Sequence, residues 1–165
     1  MEIAYLSLGS NLGNRIQHFF KARHHISREI GTVVTVSSIY KTAPWGNSDQ
    51  PDFYNQVIVI QSQLTPQRAL EFIHDIEKKM GRDRVEKWGP RTIDIDILFW
   101  GSRQLSESNL TIPHPGIPLR KFVLIPLIEV NPEMIHPSLG IPMQFLLKSC
   151  ADTLAVEKLD STEDS

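Results

Sequence analysis

A single cysteine, Cys150, in 165 residues excludes an intramolecular disulfide framework and a multi-cysteine zinc site. No apolar run approaches the ~20 residues that a membrane-spanning helix needs. Met1 to Tyr5 lacks the basic region of a signal peptide, so a soluble, cytoplasmic chain with no membrane partner is expected. Charge of one sign is also missing: 17 Lys and Arg stand against 19 Asp and Glu, a formal net charge of −2, which gives no general case for binding nucleic acid. Gly9-Ser10-Asn11-Leu12-Gly13-Asn14 has no Gly-Lys-Ser/Thr ending and is not a Walker phosphate loop; its glycines read as a tight strand-to-helix turn. A protein-kinase Gly-rich loop and a His-Arg-Asp run are absent too.

A hydrophobic content of 41% and a charged content of 22% are those of an ordinary globular chain. The length suits one domain, here 1–156, followed by an acidic tail, 157–165, expected to be mobile because it sets four acids against Lys158. Ile3 to Leu8 alternates as a strand, and Ile16, Phe19, Phe20, Ala22, Ile26 and Ile30 recur at helical spacing up to a stop at Gly31. Thr32 to Tyr40 and Phe53 to Leu64 read as strands, separated by a long loop over Thr42 to Pro51. Thr65-Pro66 opens a helix that ends at Gly81. After a polar loop, Arg82 to Arg91, comes the strand Ile93 to Trp100. The order β-α-β-β-α-β is the split arrangement of a four-stranded antiparallel sheet with two helices on one face, an α+β fold. A minor strand is expected near Arg103 to Leu105, a helix kinked by Pro126 over Arg120 to Val130, and a short closing helix over Pro142 to Lys148.

The chemistry concentrates at Lys87-Trp88-Gly89-Pro90-Arg91-Thr92-Ile93-Asp94-Ile95-Asp96-Ile97. Side chains alternate faces along a strand, so Asp94 and Asp96 share one face, ~7 Å apart along the backbone, and Ile93, Ile95 and Ile97 share the other. Two like charges on one face repel; hard divalent cations such as Mg²⁺ would relieve that, although a half-buried strand with two acids on its wet face is an equal reading. Arg82, Arg84, Lys87 and Arg91 bring four cations into the preceding ten residues, which suits phosphate oxygens as well as it suits a charged surface loop. Trp88 in a polar loop tips the balance towards a covered ligand, and the two segments together favour a nucleotide-phosphate site. Glu77 falls at the edge of the stripe Ala69, Ile73, Ile76 and Met80, with His74 beside it, fit for a base or hydroxyl or for a helix-flank ion pair. His114 lies between Pro113 and Pro115, where it suits either a phosphate contact or a satisfied surface position. The other histidines and Cys150 read as structural.

Lys87-x-Gly89-Pro90-Arg91-x-x-Asp94-Ile95-Asp96-Ile97-Leu98 resembles the signature of the 6-hydroxymethyl-7,8-dihydropterin pyrophosphokinases of folate biosynthesis. Gly9-Ser10-Asn11-Leu12-Gly13, Asp49-Gln50-Pro51-Asp52-Phe53-Tyr54-Asn55 and Leu110-Thr111-Ile112-Pro113-His114 fit the same family in order and spacing, over Met1 to about Leu147. The resemblance implies a ferredoxin-like α+β fold and transfer of pyrophosphate from ATP to the pterin hydroxymethyl group, releasing AMP. It implies two Mg²⁺ ions held with ATP by Asp94 and Asp96, and phosphate contacts from Arg82 and Arg91. His74, Glu77, Arg84, Trp88, Arg91, Ile97, Thr111, His114 and Arg120 match nucleotide-site positions. Phe53 and Phe122 match the rings that sandwich the pterin, Asn55 the amide that reads its edge, and Thr42, Pro44, Trp45 and Asp94 the rest of its pocket. A monomer acting on small molecules alone is expected.

The chain departs from that pattern in places. Phe53 stands where a tyrosine can occur, Lys87 where an arginine can, and Asn109 and Pro115 where an arginine and a tyrosine can help hold ATP. Two rival readings of the acid pair remain at this stage. One is a metal-dependent nucleotidyl or glycosyl transferase, which has no use for Phe53, Asn55 and Phe122. The other is a ferredoxin-like RNA-binding or regulatory module, whose last strand would not be expected to carry two acids on its open face.

Overall fold

A computed structural model describes residues 1–44, 49–81 and 92–160 of the protein. The chain opens with β1 (Glu2–Ser10) and α1 (Arg15–Glu29), then forms β2 (Thr32–Val36), β3 (Tyr40–Thr42) and β4 (Phe53–Ser62). α2 (Pro66–Lys79), β5 (Asp94–Trp100), β6 (Leu105–Ser106) and β7 (Thr111–Ile112) follow, and α3 (Lys121–Val130), α4 (Met143–Lys148) and β8 (Val156–Lys158) complete it. The start signals are the expected ones. Asn14 Oδ1 accepts the Gln17 amide at 3.1 Å, and Thr65 Oγ1 accepts that of Arg68 at 3.2 Å ahead of Pro66, each satisfying an amide that the first helical turn leaves over.

The sheet runs β5-β1-β4-β3-β8, with β2 also on β4, and every pairing is antiparallel. β1 is an inner strand, bonded to β4 on one side and β5 on the other. This is the ferredoxin-like α+β arrangement, with one position shared by two short strands. The expected single strand over Thr32 to Tyr40 breaks because Ser37 interrupts it: the Ser37 hydroxyl accepts the Val57 amide at 3.0 Å, doing the work of a strand carbonyl, and donates to Ser38 O at 2.7 Å. The minor strand becomes a two-stranded hairpin, β6 on β7.

Alternation along the strands sorts the core into two halves. Ala4, Leu6, Leu8, Ile58, Ile60, Ile95 and Ile97 pack against Phe19, Ala22 and Ile26 of α1 and Ala69, Ile73 and Ile76 of α2. On the other face Val57 and Phe99 meet Val123, Leu124 and Leu127 of α3 and Met143 and Leu146 of α4. A register shift opposite Tyr5 and Leu6 lets Leu98 join Phe99 on the α3 face, as a bulge does. Glu129 fastens α3 to the sheet by accepting the Tyr40 hydroxyl at 2.6 Å and the Ser38 hydroxyl at 2.7 Å. Burial, joined by that bond to Glu129, pushes the Tyr40 phenol upward and keeps it a donor.

The tail expectation is corrected at its start. Glu157 and Lys158 belong to β8, opposite Lys41 and Tyr40, and Leu159 is buried with its amide on Ile39 O at 2.9 Å. Val156, Glu157 and Lys158 carry too little apolar surface to signal a strand by themselves; β3 supplies the partner. Residues 161–165 lie outside the described residues.

The link from α1 to β2 depends on Gly31. A Cβ there would lie 2.3 Å from the backbone oxygen of Gln61, so the helix end and β4 would have to separate. Gly31→Ala is expected to lower the unfolding free energy by about 1–3 kcal/mol, the usual range for overpacking, measured by denaturant titration; unchanged stability would contradict this close approach.

Candidate active site

The α3 face of the sheet is polar at one end. Directly opposed residues in an antiparallel pair project to the same side. Gly9 is opposed to Asp94 on β5 and to Asn55 on β4, and Asn55 is opposed to Tyr40 on β3. One row therefore reads Asp94, Gly9, Asn55, Tyr40. In the next row towards the core, Ser7 is opposed to Asp96 and Val57; in the next row outwards, Phe53 is opposed to Thr42. With strands ~4.8 Å apart, Asp94 and Asn55 stand about 10 Å apart across β1.

Asn55 is 4% exposed, and its Nδ2 donates to Thr42 Oγ1 at 2.9 Å. With its nitrogen on Thr42, the amide turns its oxygen towards Gly9 on β1. A Cβ built on Gly9 would stand 3.4 Å from Asn55 Oδ1 and 3.9 Å from Phe53 Cδ1. Gly9 is thus the floor of a shallow slot between an amide edge and an aromatic ring on one side and two half-exposed carboxylates on the other. This corrects the reading of Gly9 as a turn residue: it lies inside β1, and the turn is made by Gly13, at φ 66°.

The strand bearing the acids is secured along its outer edge. Glu77 Oε2 accepts the Ile95 amide at 2.9 Å. Glu77 is 3% exposed, so it faces into the protein where the sequence places it at the edge of a stripe. Further along, the His114 amide donates to Leu98 O at 3.0 Å. The Ile97 side chain packs in the core on the α1 and α2 side, so any ligand contact it makes runs through its backbone. By alternation its amide and carbonyl lie on the same outer edge as the Ile95 amide, between the anchor points of Glu77 and His114.

His114, Gly116 and Arg120 form a compact cluster beside Asp94. The Gly116 amide donates to His114 Nδ1 at 2.9 Å, so the proton of the neutral ring sits on Nε2. A Cβ on Gly116 would come within 3.1 Å of both Arg120 Cζ and the His114 ring. Burial lowers the His114 pKa, and the Arg120 cation adds to that against an opposing pull from Asp94. The Arg120 guanidinium also stands 5.9 Å from the centre of the Phe122 ring. A neutral N–H donor beside a guanidinium has the chemistry that suits phosphate oxygens. The approach to Phe53 is held from α1's side: Asn11 Nδ2 donates to Gln50 Oε1 at 2.7 Å and to Pro51 O at 3.1 Å, and Arg15 donates to Asp52 O at 2.8 Å while covering the Tyr54 ring.

The model of the 7,8-dihydro-6-hydroxymethylpterin-pyrophosphokinases matches residues 5–132. The chain belongs to this family. The 2-amino-4-hydroxy-6-hydroxymethyldihydropteridine pyrophosphokinase of Haemophilus influenzae is 40% identical over 153 residues, covering 92% of this chain and 95% of that one. The protein of the same name from Bacillus subtilis is 42% identical over 129 residues, 78% of this chain and 77% of that one. A folic acid synthesis protein of Pneumocystis carinii is 39% identical over 151 residues, but the chain spans only 20% of its length. Among solved structures, Plasmodium falciparum HPPK-DHPS with pteroate superposes with a TM-score of 0.75 at 19% identity, over 89% of this chain and 44% of that one; at that identity the likeness establishes the fold. The resemblance read from the four motifs is thereby established, and with it an enzyme of the pyrophosphokinase class.

Of the residues that the family pattern singles out, the fold gathers Thr42, Phe53, Asn55, Asp94 and Asp96 on one sheet face and sets His114, Arg120 and Phe122 in the segment leading into α3. Pro44 is half-buried just beyond β3, and His74 and Thr111 are exposed on α2 and β7. Trp45, Arg82, Arg84, Lys87, Trp88 and Arg91 lie outside the described residues. The family motifs do not single out the Thr42 hydroxyl as the Asn55 anchor, nor Gly9 as the floor; both depend on strand register. In the free protein, His114 is expected to titrate below the 6.5 of an unperturbed histidine, followed through its ring protons by NMR. A midpoint at or above that value would contradict the buried, Nε2-protonated ring.

Proposed function

We propose that the protein transfers the terminal pyrophosphoryl group of ATP to the hydroxymethyl oxygen of 6-hydroxymethyl-7,8-dihydropterin, in keeping with relatives named as pyrophosphokinases of a hydroxymethyldihydropteridine. The single observation that supports this most is the row Asp94, Gly9, Asn55, because it puts an amide edge and an acid pair at opposite ends of a floor with no side chain in its middle. A pterin is flat, with donors and acceptors along its edge. Phe53 and Phe122 offer ring faces for it, and the Asn55 amide, held by Thr42, offers its edge both a donor and an acceptor. The hydroxymethyl arm then points towards Asp94. Pro44 adds to the rim on this reading.

In the reaction the hydroxymethyl oxygen bonds to the β-phosphorus of ATP, the bond from that phosphorus to the oxygen bridging the α-phosphate breaks, AMP leaves with that oxygen, and the hydroxyl proton is released to solvent. Such a transfer needs in-line positioning and neutralised charge more than a strong base. Arg120 and the Nε2–H of His114 bind phosphate oxygens, and Arg82, Arg84 and Arg91 add cations from the loop before β5. The outer edge of β5 at Ile97 offers a backbone donor and acceptor to the purine, with His74, Glu77 and Thr111 contributed by the neighbouring elements; Trp88, a nucleotide-site position by resemblance, lies outside the described residues. Among the described residues no cluster of three or more His, Cys, Asp or Glu side chains is arranged for a metal. Two carboxylates alone still fit Mg²⁺, which keeps several waters and takes phosphate oxygens as ligands. Asp94 and Asp96 would hold two such ions with ATP, whose chemistry is to offset phosphate charge and polarise the attacked phosphorus.

The decisive assay is nucleotide release with Mg²⁺ and ATP, with and without the hydroxymethyl-pterin. AMP appearing only with the pterin supports the proposal, and ADP or pterin-independent turnover would overturn it. Asp96→Ala is expected to abolish turnover, a loss of about 10³-fold or more for the electrostatic site, without loss of the folded state; near-normal rates would refute the metal assignment. Gly9→Val places a branched side chain on the slot floor in a residue type that suits strands. It is expected to weaken pterin binding at least about tenfold, the cost of a methyl-scale clash, while sparing ATP. Equal loss of both ligands in calorimetry would show that the slot holds something else.

A further inference from the structure

We propose that Asp152 is a positioning residue for the pterin side of the site, an inference that rests on the pterin reading of Phe122 and Thr42. α3 begins at Lys121, and the residue in its capping position, Arg120, makes no side-chain capping bond. The acceptor comes from a distant part of the chain. Asp152 Oδ2 takes the Lys121 amide at 3.0 Å, and Asp152 Oδ1 takes the amide of Leu154 at 3.0 Å. The carboxylate is 8% exposed and is held by its own turn, so it presents a fixed negative charge to the positive end of the helix. Phe122 is the next residue along, and Arg120 the one before.

Beyond Leu154 the chain does not leave the site. Val156 is opposed to Thr42 in the β3–β8 pair, Lys41 and Glu157 form an ion pair at 3.5 Å, and the Leu159 amide donates to Ile39 O at 2.9 Å. One short segment thus holds the first turn of α3 at one end and at the other the strand whose Thr42 orients Asn55. These are the elements that bear Phe122 and Thr42, which the proposed function assigns to the pterin, so the segment ties the start of α3 to the strand that carries Thr42. It lies wholly outside residues 5–132, the span matched by the family model.

Steady-state kinetics of Asp152→Ala and Asp152→Asn, with each substrate varied against saturating amounts of the other and well below the melting midpoint, tests this. Asp152→Ala is expected to raise the KM for the pterin about three- to tenfold, in keeping with loss of a cap, and to raise the KM for ATP by clearly less, because only Arg120 of the nucleotide side lies at this turn whereas the pterin side is held at both ends of the segment. Asp152→Asn keeps one acceptor oxygen where two backbone amides donate, so its pterin KM is expected to fall between those of the wild type and Asp152→Ala. A cap that serves stability alone would lower the melting temperature and move neither KM. An unchanged pterin KM, an equal shift for both substrates, or a larger shift for Asn than for Ala would overturn the inference. Should Asp152→Ala fail to fold, Asp152→Glu, which displaces the carboxylate by one methylene, is measured against the same expectations. A wild-type chain that turns over no pterin would overturn the proposed function and this inference with it, whereas pterin turnover with no selective shift removes only the inference.

Discussion

The pairing of β1 with β4 on one side and β5 on the other is the constraint that the candidate site depends on. Its register opposes Gly9 to Asn55 and to Asp94 at once, so an amide and a carboxylate that are distant in sequence end on one face with a residue lacking a side chain between them. Strand spacing sets their separation. The row is flanked by hydrophobic pairs that are buried on the opposite side, Leu8 with Ile95 for instance. A slip of one residue would turn Asp94 and Asp96 into the α1 and α2 core and Ile95 and Ile97 into the slot. The cost of burying two carboxylates in that core secures the register.

Around this floor the fold spends its polar side chains on holding backbone. Glu77 secures the outer edge of β5, the His114 amide holds Leu98 O, Thr42 fixes the Asn55 amide, and Asn11 and Arg15 tie down residues 50–52. Glu129 and Asp152 do the same for α3, near its C-terminal and N-terminal ends. The side chains proposed to meet ligand are thus carried on elements pinned at more than one point, which favours transfer chemistry that depends on positioning.

The sequence made some of this legible and hid the rest for identifiable reasons. β5 was readable because Ile93, Ile95 and Ile97 alternate with Asp94 and Asp96, and α2 because Thr65-Pro66 and Gly81 mark its ends. The motif resemblance pointed to both halves of the site before any geometry. Gly9 was not legible, since a glycine beside Ser10 and Asn11 carries turn chemistry and only the pairing on both sides shows that it lies in a strand. Glu77 sits one helical step off the apolar stripe, and nothing in that spacing tells of an amide on β5 that needs an acceptor. The break at Ser37 and the bulge at Leu98 arise from tertiary hydrogen bonding, which local propensity does not encode. β8 forms because β3 offers an open edge, and Asp152 caps a helix that begins 31 residues away; both are long-range matters.

The central claim is that the acid pair and the Asn55 amide share one sheet face, with metal bound at the acid end. It is tested most directly by replacing Mg²⁺ with Mn²⁺ in the presence of an unhydrolysable ATP analogue and following the amide resonances by NMR. The account predicts that Gly9, Asp94 and Asp96 lose their signals first and the Asn55 side-chain amide next, with α4 left sharp. Broadening centred elsewhere, or none that depends on Asp94 and Asp96, would contradict it.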